Sequence, residues 1–395
     1  MSVKFARRMD GIKGSEIREL LKLTQQPEVI SFAGGLPAPE LFPVEAMEKA
    51  ADAVMEQYGP VALQYSTTEG FASLRQKIVD RMKAKNQITA TPDDILITSG
   101  SQQGLDFSGR IFLNEDDVVL MESPSYLGAI NAFKANSPKF VEVPTDSNGM
   151  IMEELEKILQ TTENVKMIYV IPDFQNPSGR TWTMERRKKF MEIINKFEIP
   201  VIEDNPYGEL RFEGENMPSL KSLDTKGLIV FLGSFSKILA PGYRVGWVCA
   251  SPEILAKYVF MKQGADLQPS TFSQLAIDKF MDMYNLDEHV EKIKEVYGHR
   301  RNVMLKAIED YFPKEATFTH PDGGLFTWVE LPEYMNAREI AEECVKNNVA
   351  YVPGGSFFPN GGKENTFRMN YSCMPDDKIV EGIKRIGEIL KKHLK

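Results

Sequence analysis

Cysteine is scarce in this 395-residue chain: Cys249, Cys344 and Cys373 stand apart with no CxxC spacing. That offers neither a disulfide framework nor a zinc site, and it suits a reducing, cytoplasmic setting. Histidine is equally sparse, and His289, His299, His320 and His393 show neither metal-ligand spacing nor a Ser/His/Asp order. A metallohydrolase and a triad hydrolase therefore lack their parts. No apolar run approaches the ~18 residues that span a bilayer, and the N-terminal MSVKFARRMDGIKGS has basic residues with no apolar segment behind them. Neither export nor membrane embedding is expected. Positive charge is not in excess, because 47 Lys and Arg stand against 56 Asp and Glu for a formal net charge of −9; nucleic acid is a poor partner for such a chain. Nucleotide signatures are missing too. No GxGxxG follows a strand, and NGGKE at 360–364 has Phe357 where a P-loop needs its first glycine and Glu364 where it needs Ser or Thr.

What the chain does have is 42% hydrophobic residues, enough for a large core divided into two or three domains. Between residues 94 and 251 stand seven short apolar runs: DILIT, DVVLMES, KFVEVP, KMIYVIP, PVIEDN, LIVFLGS and VGWVCAS. They are near-continuous rather than alternating, as strands covered on both faces are. Helical-period segments such as MEELEKILQ (152–160) and MERRKKFMEIINKF (184–197) separate most of them. This is the rhythm of a doubly wound, mostly parallel seven-stranded sheet in an α/β domain. Only SKILAPGYR lies between the last two runs, too little for a parallel crossover, so VGWVCAS should run antiparallel to its neighbour.

Beyond Pro252 the pattern predicts helix over 253–263 and 271–309, then a second group of apolar runs at FTWVEL (326–331), VAYVPG (349–354) and TFRMNY (366–371) with helices between and after. The expected organisation is an N-terminal arm over 1–45, packed alone or with the small domain, a large domain over 46–285 and a smaller α+β domain over 286–395. After the helical SEIRELLKLT, the stretch to Pro43 carries Gly34, Gly35, Pro37 and Pro39 and is too punctuated for regular structure.

The unusual polar residues fall at the C-terminal ends of the predicted strands: Ser101 and Gln102 follow the first, Ser123 and Tyr126 the second, Asn176 follows KMIYVIP, Asp204 ends PVIEDN, and Ser234, Ser236 and Lys237 close or follow LIVFLGS. Open α/β sheets bind ligands outside that edge, so one small-molecule pocket should gather these side chains. The stretch SFSKILAPGYRVGW (234–247) resembles the lysine signature of the fold-type I, class I/II aminotransferases that use pyridoxal 5′-phosphate (PLP). The resemblance continues through SFAGGLPAPELFP (31–43), LQYSTTEGFASLR (63–75), TSGSQQGLD (98–106), ESPSYLGAI (122–130), PDFQNPSGR (172–180), EDNPYGEL (203–210) and PGGSFFPNGGKENTFRMNY (353–371). Within that family it is similar to the 2-aminoadipate and kynurenine/2-aminoadipate aminotransferases.

The resemblance implies an enzyme that moves amino groups from amino acids to 2-oxo acids, 2-oxoglutarate above all, as a homodimer with its sites at the subunit interface. It makes Lys237 the Schiff-base residue, which must be neutral to act as a nucleophile. Asp204 becomes the partner of the pyridinium nitrogen, Asn176 and Tyr207 the donors to the ring's phenolic oxygen, and Tyr126 the stacking aromatic. Gly100, Ser101, Gln102, Ser234, Ser236 and Arg244 form a phosphate cup at a helix N-terminus, which Tyr65 completes from the neighbouring subunit. Arg368 holds the substrate α-carboxylate as a two-pronged fork, with Asn176 beside it. Gly35 belongs to a mobile segment covering the substrate. Arg18 either meets an acidic substrate side chain or lies on the solvated face of an amphipathic helix. Two other outcomes stay open: an amino-acid lyase of the same fold, and a non-enzymatic PLP-binding regulator, for which the sequence ahead of the resemblance leaves no room for a helix-turn-helix domain of ~50 residues.

Overall fold

The computed structural model describes residues 3–9 and 28–395. Its centre is a sheet of eight strands in the order Ile95–Thr98, Gly246–Cys249, Ile229–Ser234, Val201–Asp204, Val165–Val170, Val118–Ser123, Lys139–Asp146, Gly149–Met150. The pairings from Ile229–Ser234 through Lys139–Asp146 are parallel. Gly246–Cys249 runs antiparallel to both its neighbours, as its short connection from the preceding strand requires. Seven strands are the seven apolar runs. The eighth, two residues long and antiparallel to Lys139–Asp146, corrects the expected count; a two-residue edge strand joined through backbone alone leaves no apolar run to read.

Most of the runs are continuous because both faces are buried; Lys139–Asp146, second from the edge, buries only Val143. In the Val118–Ser123 strand, Val119 and Met121 pack with Leu105, Phe133 and Tyr258, under the Ser101–Phe112, Leu127–Lys134 and Pro252–Ala265 helices. Val118 and Leu120 face Leu155, Phe190 and Ile194 on the other side, in the Met152–Thr161 and Met184–Phe197 helices. Each fully buried Leu or Val contributes roughly 1.5–3 kcal/mol by leaving water. The sheet is thereby clamped between two helical layers, and its C-terminal edge is held rigid.

Residues 286–395 hold a four-stranded antiparallel sheet, Thr317–Phe318, Phe326–Glu330, Thr366–Asn370 and Val352–Pro353. The Leu286–Tyr311 and Asp376–Lys392 helices pack against it through Met304, Ile308, Ile383 and Ile386. Ile30–Ser31 pairs in parallel with Val349–Ala350, which ties the start of the chain to this unit. The stretch expected as one helix over 271–309 is two, Thr271–Met283 and Leu286–Tyr311. The break is chemical: the Asn285 side chain accepts the Asp287 and Glu288 N–H groups, an N-cap that starts a new helix. Among the described residues no helix is long and apolar enough to cross a membrane.

Candidate active site

At the C-terminal edge of the large sheet the strand ends open into a cleft of about 1060 Å³. Gly35, Ser101, Gln102, Tyr126, Asn176, Asp204, Tyr207, Ser234, Ser236, Lys237, Arg244 and Arg368 all line it. Twelve residues scattered from position 35 to position 368 are thus brought together in one cleft. Gly100 lies just beneath. Tyr65 does not line the cleft of its own chain and is 78% exposed. Arg18 lies outside the described residues.

Lys237 sits in the turn that follows Ile229–Ser234. The turn is pinned by Ser234 Oγ, which accepts the Ser236 N–H at 3.0 Å. Lys237 Nζ donates to the Gly35 carbonyl at 2.5 Å. Burial, and then the positive charges of Arg368 and Arg244, bring its pKa down to about 8. That shift leaves far more of the amine neutral near neutral pH than an ordinary lysine has, which makes it a better nucleophile and proton carrier.

Asp204, at the end of Val201–Asp204, is 2% exposed. Its Oδ2 accepts from Tyr169 Oη at 2.9 Å, while its Oδ1 has no hydrogen-bond partner among the described residues. Burial raises its pKa to about 7 against the lowering effect of the Tyr169 bond. A buried carboxylate oxygen left unmet is costly, and it is aimed into a cleft able to receive a cationic N–H. Nearby, Asn176 Nδ2 donates to Tyr207 Oη at 3.3 Å, with both side chains buried.

Arg368 is 6% exposed and meets only neutral oxygens: Asn176 Oδ1 at 2.8 Å and the Ala33 carbonyl at 2.8 Å. Its Nε has no partner. The guanidinium lies over the Phe326 ring at 4.2 Å and the Phe357 ring at 5.0 Å, and burial pulls its pKa down to about 10. Such a cation is held flat by aromatic faces and is ready for a bidentate carboxylate.

The anion cup is equally defined. Gly100 caps the Ser101–Phe112 helix at φ +73°, and a Cβ there would lie 2.5 Å from Arg244 Nη2. Arg244 holds a left-handed φ of +54° itself, a strained choice for a non-glycine residue of the kind that persists at ligand sites. The first N–H groups of the helix have no acceptor within it, so they and the guanidinium form a cradle for an anion.

Several participants escaped the sequence reading. Tyr169 lies within the apolar run KMIYVIP, and a tyrosine in a doubly covered strand needs a partner for its hydroxyl, which was a usable signal. Phe326 and Phe357 reach Arg368 only through tertiary packing, and Arg338, Ser356 and Phe358 line the outer cleft without any motif of their own.

The profile of the family described as "Aminotransferase class I and II" matches residues 29–386. The chain is 45% identical to the aromatic-amino-acid aminotransferase 1 of Thermococcus litoralis, over 99% of this chain and 95% of that protein. It is 42% identical to the 2-aminoadipate transaminase of Thermus thermophilus, over 99% and 97%. Among solved structures, Pyrococcus horikoshii kynurenine aminotransferase in complex with PMP is similar at a TM-score of 0.95 and 41% identity, over 99% of this chain and 98% of that one. LysN, the α-aminoadipate aminotransferase of Thermus thermophilus complexed with N-(5′-phosphopyridoxyl)-L-leucine, is similar at a TM-score of 0.91 and 40% identity, over 98% and 97%.

Proposed function

The chain belongs to the class I and II aminotransferases, PLP-dependent enzymes of amino-acid transamination, and from that premise we propose that it transfers amino groups from a broad set of amino acids to 2-oxoglutarate in the cleft around Lys237. The observation that carries this reading is a set of charged groups turned into one cleft without opposite charges. They are the Asp204 carboxyl with its unmet Oδ1, the Arg368 guanidinium on neutral oxygens, and the Lys237 amine on a carbonyl. An amino acid and PLP bring the counterparts: an α-carboxylate for Arg368, a protonated ring nitrogen for Asp204, an aldehyde for Lys237 and a phosphate for Arg244.

The cofactor supplies an aldehyde that exchanges amino groups and a ring that accepts the electron pair released at the substrate α-carbon. The protein's part is binding, orientation and proton management. Lys237 Nζ, neutral above about pH 8, takes the proton from the α-carbon of the donor. Asp204, through its unmet Oδ1, would keep the ring nitrogen protonated by an ion pair inside the protein, where such a pair is strong. Asn176 and Tyr207 would donate to the ring's phenolic oxygen, and Tyr126 would lie against the ring. Gly100, Ser101, Gln102, Ser234, Ser236 and Arg244 hold the phosphate, with Tyr65 of a second copy of the chain closing the cup in a homodimer. Arg368 grips the α-carboxylate beside Asn176, and the Gly35 segment covers the substrate.

Breadth of donor follows from the outer cleft, where Leu36, Leu127, Phe357 and Phe358 offer apolar surface beside the Arg338–Glu364 ion pair at 3.6 Å. Relatives named for aromatic amino acids, 2-aminoadipate and kynurenine support both kinds of side chain. Arg18 remains a second candidate for acidic side chains. The deciding experiment incubates purified protein with PLP and 2-oxoglutarate against 2-aminoadipate, leucine, kynurenine, phenylalanine and alanine, following glutamate. Glutamate from both acidic and apolar donors is the expected result. Ammonia or pyruvate in place of glutamate would move the assignment to a lyase of the same fold.

A further inference from the structure

Lys262 is the one lysine among the described residues whose side chain is wholly sequestered away from the cleft: the side chain is 0% exposed. Its Nζ donates to Asp266 Oδ1 at 2.9 Å, to Asp266 Oδ2 at 3.1 Å and to Gln103 Oε1 at 2.7 Å. Gln103 Oε1 also accepts the Ser99 N–H at 3.0 Å, and Gln103 Nε2 donates to Asp266 Oδ2 at 2.8 Å. Ser99 Oγ donates to the same carboxylate oxygen at 3.0 Å. Both ends of the Gln103 amide are thus fixed by charge, and Ser99 is held at its backbone nitrogen and at its side chain.

Ser99 is the residue before Gly100. The turn between strand and helix is closely packed: a Cβ on Gly246 would meet the Ser101 nitrogen at 2.6 Å, and one on Gly100 would lie 2.5 Å from Arg244 Nη2. The Lys262 cluster holds Ser99, at the start of the same turn. Burying an ammonium is unfavourable unless it is fully paired, so a residue with no reach into the cleft bears a cost that an apolar side chain of the same size would avoid. The turn it holds gives that cost a purpose, since anion affinity depends on where the first N–H groups of the helix point.

We propose that Lys262, Asp266 and Gln103 are positioning residues that set the affinity for the cofactor's phosphate by fixing the Ser99–Gly100–Ser101 turn. The inference rests on the reading of that turn and Arg244 as the phosphate cup. Its prediction is selective. Losing the cluster weakens binding of PLP and leaves binding of pyridoxal, which lacks the phosphate, as it was.

The test measures equilibrium dissociation constants of the cofactor-free protein for PLP and for pyridoxal, by absorbance, in Lys262→Met, Lys262→Arg and Asp266→Asn. Lys262→Met should raise the PLP constant about tenfold or more, the scale on which outer partners of a ligand site act, with pyridoxal within twofold of wild type. Asp266→Asn should move the same way by a smaller factor, and Lys262→Arg should recover most of the affinity. Equal weakening of both ligands, or a lowered melting temperature with unchanged constants, would assign the cluster to stability alone and overturn the inference. Gly100→Ala, which crowds Arg244, separates the two layers of argument. If it leaves PLP affinity intact, the phosphate cup itself is misplaced. If it weakens PLP while Lys262→Met does not, only the positioning role falls.

Discussion

Two sets of buried charges in this chain are treated in opposite ways. Outside the cleft lining, Arg187 is fully buried and fully satisfied: its Nη2 meets Asp173 Oδ1 at 2.5 Å, and Pro218, Pro172 and Trp182 carbonyls take the rest. Asp173 Oδ2 also accepts from Asn205 at 3.1 Å. Arg81 likewise pairs with Glu209 and, at 2.9 Å, with Asp287. Inside the cleft, Arg368 is just as buried and meets no carboxylate, and Asp204 meets no cation. Burial of charge by itself marks architecture. Burial of charge without its counterpart marks a place where a ligand supplies the missing half.

The sharpest way to break that comparison is to remove the amine. Lys237→Ala should lower glutamate formation by roughly 10³-fold, the scale of a lost nucleophile and proton carrier, with thermal stability at or above that of wild type. A variant turning over at the wild-type rate would sink the assignment of the site.

Next come the two arginines, which the comparison says should fail in different assays. Arg187→Met leaves Asp173 buried and unpaired and should destabilise the fold by about 3–5 kcal/mol, read as a shift in the denaturation midpoint. Arg368→Met removes a cation that no acid inside the protein needs. The ligand-free protein should keep its stability, while KM for amino donors rises by roughly 100-fold, the price in affinity of a lost bidentate charge contact. Matching stability losses in both variants would erase the distinction drawn here.

Asp204 gives a smaller, pH-dependent effect. Its folded pKa of about 7 lies above the ~3.9 of an unfolded aspartate. Between those values the folded chain holds a proton that the unfolded chain has lost, so this group's contribution to stability falls as pH rises through about 4 to 7 and is flat above. Asp204→Asn removes that loss. The cofactor-free variant should melt higher than wild type at pH 8 and no higher at pH 4, while its turnover drops. A variant less stable at pH 8 would mean the carboxylate already has a partner in the folded protein.

Most of the sheet was readable in the sequence because five of the seven apolar runs announce a strand twice, by the run itself and by polar residues at or just beyond its end. Both signals come from one cause, a sheet covered on two faces whose only open edge is the C-terminal one. The order reversal at Gly246–Cys249 was readable from connection length. What escaped has no local signal of its own: the aromatic clamp of Phe326 and Phe357 on Arg368 exists only once two strands of the C-terminal sheet and the Gly354–Phe357 turn are folded, and Gly149–Met150 is a strand by backbone pairing alone. The helix break at Asn285 is different, because Asn followed by Leu-Asp-Glu is a start signal present in the sequence and outweighed by the long apolar periodicity around it.

The finest distinction concerns how the unpaired charges tune one another. Lys237 owes its pKa of about 8 first to burial and then to repulsion from Arg368 and Arg244. The ammonium form is the one repelled, so removing either cation should raise the midpoint toward the ordinary lysine value. In cofactor-free protein, the rate at which Lys237 captures an aldehyde rises with pH as the amine loses its proton. The midpoint of that profile should therefore sit near 8 in wild type and move upward in Arg368→Gln, with a stopped-flow absorbance assay against pyridoxal as the measurement. Pyridoxal lacks the phosphate, so the shift reports the charge around the amine rather than the filling of the anion cup. An unmoved midpoint would show that burial alone sets the amine's pKa, and that the two arginines serve their ligands without acting on the lysine between them.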